Sequence, residues 1–359
     1  MVKTNIIVSC ASLSAGGAER VLSILSDHLV NRYDKVSYIM WVDAPIFYNI
    51  NSRVNLISIE KEIGSSNELK RMLWFRRFIK KEKPDIILSF LEPWNLRVLI
   101  STIGLNIKTI VAERNDPHGV NKYWIIDQLE KLVYRRADMI LVQTETIRKF
   151  FSGPLRERTH VIYNPVNIPE EMVGRALKTP KMKRIVSVAR LKPQKKHDVL
   201  IRAFAKFSKI HPNYTLTIYG NGPLMDKLKQ LAISLGIGEK VFLPGASKTI
   251  LQDIINAEMM CLVSTREGMS NAMIEAMSLG LPCICTKVSG AIDLIENEKN
   301  GILIDIDDEE ALFNQMNRIV DNKLFANNLG FRASQLYGKL RTDIISKKWI
   351  ELIDSLVQN

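Results

Sequence analysis

Short apolar runs rich in Val, Ile and Leu alternate along this chain with longer segments in which apolar residues return every three or four positions. A short continuous apolar run bounded by turn residues fits a strand buried on both faces. The three-to-four spacing fits a helix with one apolar stripe. In the first half, strands are predicted near Asn5 to Ser9, Val36 to Trp41, Val54 to Ile59, Asp85 to Phe90, Thr109 to Ala112, Met139 to Val142 and Val161 to Tyr163. The second half repeats the theme at Arg184 to Val188, Leu216 to Tyr219, Val241 to Leu243, Met259 to Val263, Cys283 to Cys285 and Ile302 to Ile304. Strands alternating with helices in this way predict βαβ units and parallel sheets, so each half is expected to form one doubly wound α/β domain. The stretch from Asn164 to about Pro180 carries proline and acid with little periodicity and reads as the linker. The expected division is 1–166 and 167–337, with a final helix at about 338–359 crossing back onto the first domain. The alternative is a final helix packed wholly on the second.

A length of 359 residues suits two domains of ordinary size, and two domains imply a cleft. With 46% hydrophobic and 25% charged residues the composition is globular, and no apolar run reaches the ~18 residues of a membrane span. The N-terminus MVKTNIIVSC lacks the apolar core and cleavage site of a signal peptide, so cytoplasmic residence is expected. Cys10, Cys261, Cys283 and Cys285 form no CxxC pair and have no histidines around them. They read as buried thiols rather than metal ligands or disulfides. The net charge of +12 points to anionic partners, whether phosphorylated substrates, acidic membrane or nucleic acid. Nucleic acid is disfavoured, because no recognisable recognition module is present.

Candidate chemistry collects where strands run into helices. In Ser264 to Thr286, STREGMSNAMIEAMSLGLPCICT, a strand gives way to Glu267, a small-residue turn that begins with Gly268, and a helix that carries Glu275 about one turn inside it. Two carboxylates thus flank a helix start whose free N–H groups favour anions, which suits a ligand bearing both hydroxyls and phosphate. Arg190 and Lys195 lie in another strand-to-helix loop, VARLKPQKKHDVLI, where a guanidinium fork and an ammonium can hold two phosphates. Charge runs are usually solvated faces, and for Lys192 and Lys196 that reading stands level with a phosphate contact. Gly220 and Gly222 in YGNGP form either an ordinary turn or a surface on which a planar base lies against backbone. Gly16 and Gly17 follow the first strand at wrong spacing for a GxGxxG motif, leaving a tight turn or an anion-binding loop as readings.

Two further segments belong to the first half. The loop Glu113-Arg114-Asn115-Asp116-Pro117-His118 begins at a strand end and offers several polar contacts, or a structural turn capped by Asn115 or Asp116. Residues 68–83, ELKRMLWFRRFIKKEK, form an amphipathic helix with six basic residues before its closing Lys83. Its basic face is either simply solvated or meets anionic lipid or a lipid-linked pyrophosphate.

Taken in order, GGAER, VARLKPQKKHDVLI, YGNGP, the Glu-x7-Glu block and NGILI resemble the retaining GT-B glycosyltransferases of family 4, the glycosyl transferases group 1. The resemblance implies two Rossmann-like domains facing across a cleft, the second holding a nucleotide-sugar, expected to be a UDP-sugar, and the first an acceptor. It implies that Arg190 and Lys195 hold the diphosphate, Glu275 the ribose hydroxyls and Glu267 the transferred sugar, with Met269, Ser270 and Asn271 completing the contacts through backbone N–H groups. No metal or other cofactor is expected, and attack on the same face, with the departing phosphate taking the acceptor proton, is favoured over Glu267 as a covalent nucleophile. Many relatives set a histidine against the donor sugar near the position of His118, although ERND precedes it here. Glu113, Arg114 and Asn115 become acceptor or sugar contacts. The acceptor is expected to be a membrane-associated glycan or lipid-linked sugar in cell-surface polysaccharide, lipopolysaccharide or glycoprotein assembly, with the enzyme peripheral on the inner face of the membrane. A nucleotide-sugar 2-epimerase and a non-catalytic sugar-nucleotide-binding protein are the competing readings.

Overall fold

The computed structural model describes residues 2–14, 16–117 and 124–357. Seven strands form one sheet: β1 (Val2–Cys10), β2 (Tyr33–Met40), β3 (Asn55–Ser58), β4 (Ile86–Phe90), β5 (Lys108–Ala112), β6 (Met139–Val142) and β7 (Thr159–Val161). Their order is β3-β2-β1-β4-β5-β6-β7, and every pairing is parallel. A second parallel sheet holds β8 (Arg184–Val188), β9 (Thr215–Tyr219), β10 (Val241–Gly245), β11 (Met259–Leu262), β12 (Cys283–Thr286) and β13 (Ile302–Ile304), in the order β10-β9-β8-β11-β12-β13. Both are doubly wound, as the alternating pattern predicts. In each, the strand order reverses beside the first strand, between β1 and β4 and between β8 and β11. Open α/β sheets bind ligands beyond the carboxyl ends of strands at such a reversal.

The strands are continuous apolar runs because helices cover both faces. Ile86, Ile87, Leu88 and Phe90 of β4 are wholly buried, as are Met259 and Cys261 of β11. All four cysteines are buried and free.

The chain divides into two compact units, Met1–Pro165 with Thr342–Asn359, and Val166–Arg341. The expected linker from Asn164 to Pro180 is packed rather than free. Beyond Pro165 it belongs to the second unit, where Met172 and Ala176 are buried and Gly174 N–H donates to the Ser278 carbonyl at 2.9 Å. The crossing helix begins at Thr342 rather than near 338. Leu340 is buried with the second unit and Arg341 is extended, with φ −51° and ψ 143°, which breaks the helix there. Within the first unit, the Thr342–Val357 helix buries Ile345, Trp349 and Ile353, one face at four-residue spacing. Asp354 fastens it to the Gly17–Arg32 helix, accepting from Arg32 Nη2 at 2.7 Å, and also accepts from Tyr33 Oη at 2.8 Å.

Candidate active site

In the second unit, the carboxyl ends of the neighbouring strands β8 and β11 carry the basic loop and the first glutamate. After β8, residues 189–191 are laced to the turn that follows β9. Ala189 N–H donates to Tyr219 O at 3.0 Å, Leu191 N–H to Asn221 O at 2.9 Å, and Leu224 N–H to Leu191 O at 3.2 Å. The two glycines of this turn are required by that approach. A Cβ at Gly220 would stand 2.0 Å from the Ala189 carbonyl oxygen, and one at Gly222 would stand 2.3 Å from that of Leu191. Gly220 also has φ +142°, which side-chain-bearing residues rarely adopt. YGNGP therefore receives a protein backbone and fixes the loop from which Arg190 projects. Arg190 is exposed, and among the described residues its guanidinium has no hydrogen-bond or ion-pair partner.

Lys195, by contrast, is buried and pairs with the Glu267 carboxylate through Nζ and Oε2. The two loops are joined by backbone as well, since Thr265 N–H donates to Gln194 O at 2.8 Å. Holding a lysine and a carboxylate this far from water is costly unless they pair, so the ion pair sets the shape of both loops. Gly268, Met269 and Ser270 are buried, and the Ser270 hydroxyl caps the Asn271–Leu279 helix by accepting from Met273 N–H at 3.3 Å. Glu275, in the second turn of that helix, is buried. Two residues absent from the sequence expectations support this corner. Gly290 lets the next helix sit against the turn, because a Cβ there would lie 2.5 Å from Gly268 O. His197 is buried and, among the described residues, neither ring nitrogen is hydrogen-bonded; burial, assisted by the Lys195 charge, lowers it to about 4, so it stays neutral. A glycine just past a strand end was the available signal for Gly290; nothing in the spacing marked His197 as buried.

The first unit departs more from expectation. Gly16 is the N-cap of the Gly17–Arg32 helix, and the Glu19 carboxylate lies against it, 2.1 Å from where a Cβ would be. A glutamate three residues into a helix interacts favourably with its start. The pair read as a tight turn or an anion-binding loop therefore opens the helix with the Glu19 carboxylate beside it.

Glu113 and Arg114 are buried side chains, whereas Asn115 is exposed. Tyr134 Oη donates to Glu113 Oε2 at 2.8 Å, while Oε1 has no partner among the described residues. Burial pushes Glu113 up to about 7 despite that hydrogen bond. The Arg114 guanidinium lies 5.2 Å from the Phe90 ring and 5.0 Å from that of Trp349, and donates to Asn164 Oδ1 at 3.3 Å. Burial lowers it to about 9. Both side chains lie in the interior of the first unit beneath the loop. His118 lies outside the described residues.

The Glu68–Glu82 helix also sorts its charges. Arg71 is buried and paired with Glu60 at 3.0 Å, and Arg76 donates to the carbonyls of Ser101 and Ile103 at 2.6 and 2.8 Å. Lys70, Arg77, Lys80 and Lys81 remain exposed, together with Leu69 and Leu73. Among the described residues no helix is long and apolar enough to cross a membrane, and no group of His, Cys, Asp and Glu is placed to hold a metal ion.

Two family models meet near the domain division: Glycosyltransferase Family 4 matches residues 15–169, and Glycosyl transferases group 1 matches 170–335. With the two parallel-sheet domains and the site at the carboxyl ends of β8 and β11, this chain belongs to the family 4 glycosyltransferases of GT-B type, and it is a glycosyltransferase. It is 27% identical over 364 aligned positions, 98% of each chain, to the Campylobacter jejuni enzyme GalNAc-alpha-(1->4)-GalNAc-alpha-(1->3)-diNAcBac-PP-undecaprenol alpha-1,4-N-acetyl-D-galactosaminyltransferase. It is 23% identical to the Escherichia coli UDP-Gal:alpha-D-GlcNAc-diphosphoundecaprenol alpha-1,3-galactosyltransferase, over 86% of each. Among solved structures, Anabaena HepE in complex with UDP and glucose superposes with a TM-score of 0.80 at 18% identity, covering 98% of this chain and 100% of that one.

Proposed function

We propose that this enzyme transfers a hexose or N-acetylhexosamine from a UDP-sugar to a lipid-linked glycan, with retention and without a metal. The observation that carries the reading is the meeting of Arg190, the Lys195–Glu267 pair and the buried 268–270 turn at the ends of β8 and β11. The donor and acceptor classes draw on the UDP-Gal and diphosphoundecaprenol named for the relatives.

In this reading the bond between the sugar C1 and the diphosphate oxygen breaks as the acceptor oxygen bonds to C1 on the same face. The acceptor proton passes to the departing phosphate. Arg190, Lys195 and the N-terminus of the Asn271–Leu279 helix stabilise the negative charge that grows on the diphosphate, more in the transition state than in the ground state. Glu267, which holds Lys195 before the donor arrives, turns to hydroxyls of the sugar as Lys195 engages phosphate. Glu275 accepts from the ribose hydroxyls. The acceptor engages the first unit, with Asn115 the exposed polar residue of its loop, and the exposed cations and leucines of the Glu68–Glu82 helix meet an anionic membrane on its cytoplasmic side.

Transfer to a lipid-linked acceptor from a panel of UDP-sugars tests the assignment. Arg190→Ala and Lys195→Ala are each expected to lose about 100-fold, on the order of 3 kcal/mol, and Glu275→Ala to raise the donor KM. Folded Arg190→Ala and Glu275→Ala proteins with full activity would sink it.

A further inference from the structure

The second sheet has a cavity at the edge opposite the candidate active site. Lys183, Tyr214, Glu258 and Pro282 line it, and each immediately precedes a strand, β8, β9, β11 or β12. Its volume is about 360 Å³, within the range of small-molecule pockets and roughly a dozen times the share of one water. Three lysines face it: Lys181, Lys183 and Lys323. Lys323 Nζ pairs with Glu258, which also accepts from Tyr214 Oη at 3.3 Å. Lys181 is different, for its Nζ is buried and, among the described residues, has no hydrogen-bond partner. Leu177, Val320 and Ala326 supply an apolar wall, and Leu177 is itself packed against Gly280 and Gly330, where added Cβ atoms would lie 3.0 Å from its side chain at Gly280 and 2.3 Å from Gly280 O at Gly330.

We propose that this cavity binds a small molecule through a phosphate group, with Lys181 as the principal contact, Lys183 at the rim and the apolar wall against the rest of the ligand. An ammonium taken from water without a partner is unfavourable, and a phosphate oxygen supplies what is missing. The three cations outnumber Glu258, so the cavity favours an anion even with that carboxylate present. Burial, opposed by Glu258 and reinforced by Lys323, lowers Lys181 to about 8, and a bound phosphate restores its hold on the proton. Gly280 and Pro282 lie just past the C-terminal end of the helix whose first turn forms the candidate donor seat. That helix has nine residues, about 13 Å at its usual rise, so an occupant touches the element that carries Glu275 from its far end.

Isothermal titration with inorganic phosphate and with hexose 6-phosphate tests the proposal, each in wild type, in Lys181→Met and in an Arg190→Ala, Lys195→Ala double variant. Binding of at least one probe is expected, weakened at least tenfold by Lys181→Met and retained in the double variant. Tighter binding of the sugar phosphate assigns the apolar wall to the ligand, whereas equal binding assigns the site to phosphate alone. Lys183→Gln, a change at an exposed residue, is expected to weaken binding severalfold and guards against misfolding of the first variant. No binding of either probe, binding indifferent to both lysine changes, or binding lost in the double variant overturns the proposal.

Discussion

Replacing Glu113 by glutamine should remove a pH dependence of stability confined to the first unit. In the folded protein burial raises this carboxyl from its ordinary 4.5 to about 7, so the native state binds its proton more tightly than the unfolded chain does. Stability from this group is therefore complete below the unfolded value and is lost as pH rises through the folded one. With those two values, the loss grows from about 0.8 kcal/mol at pH 5 to about 3.3 kcal/mol at pH 8. A glutamine amide cannot ionise but can still accept from Tyr134, so the wild-type protein should weaken against the variant by about 2.5 kcal/mol across that interval. The chain provides a selective probe. All five tryptophans, at 41, 74, 94, 124 and 349, belong to the first unit, so their fluorescence in urea follows its unfolding alone. A difference between wild type and Glu113→Gln that does not change with pH, or that changes in the opposite direction, would refute the reasoning.

Gly222→Ala forces a Cβ to within 2.3 Å of Leu191 O and should cost about 3 kcal/mol in second-unit stability, with raised donor KM because the Arg190 loop moves; calorimetry and kinetics check the two effects. Trp349→Ala opens the space beside Phe90 and Arg114 and should destabilise the first unit by about 3–5 kcal/mol in thermal unfolding followed by circular dichroism. Neutralising Lys70, Arg77, Lys80 and Lys81 together, at about 1 kcal/mol for each cation, should weaken co-sedimentation with anionic vesicles by two orders of magnitude or more. Arg71 and Arg76 are left intact because they hold the helix in place.

The strands were legible because parallel strands covered on both faces leave unbroken apolar runs; Ile86 to Phe90 and Met139 to Val142 can hardly be read otherwise. The end of β11, Glu267 and the capped helix after it were legible for a related reason, since a strand end, small residues and a helix start follow one another locally. The glycines were not. A Gly-Asn-Gly turn states that something approaches closely, and only the fold identifies that something as Ala189 to Leu191. Charges misled in the same way. Arg71, Arg76 and Arg114 look like surface cations in the sequence, yet their partners Glu60, the Ser101 carbonyl and Trp349 lie 11, 25 and 235 positions away. The Lys195–Glu267 pair, 72 positions apart, was hidden by the same distance, although both residues were expected at the site.

The Thr342–Val357 helix also sets a timetable for synthesis. Trp349 is wholly buried beneath Phe90 and Arg114, so the first domain has an open flank until this helix is made. The second domain, continuous from Val166 to Arg341, has every residue it needs before that helix is translated. Domains of most proteins mature in the order of their codons. In this chain the domain begun first is the last to close, and Phe90 waits about 260 residues of translation for the ring that covers it.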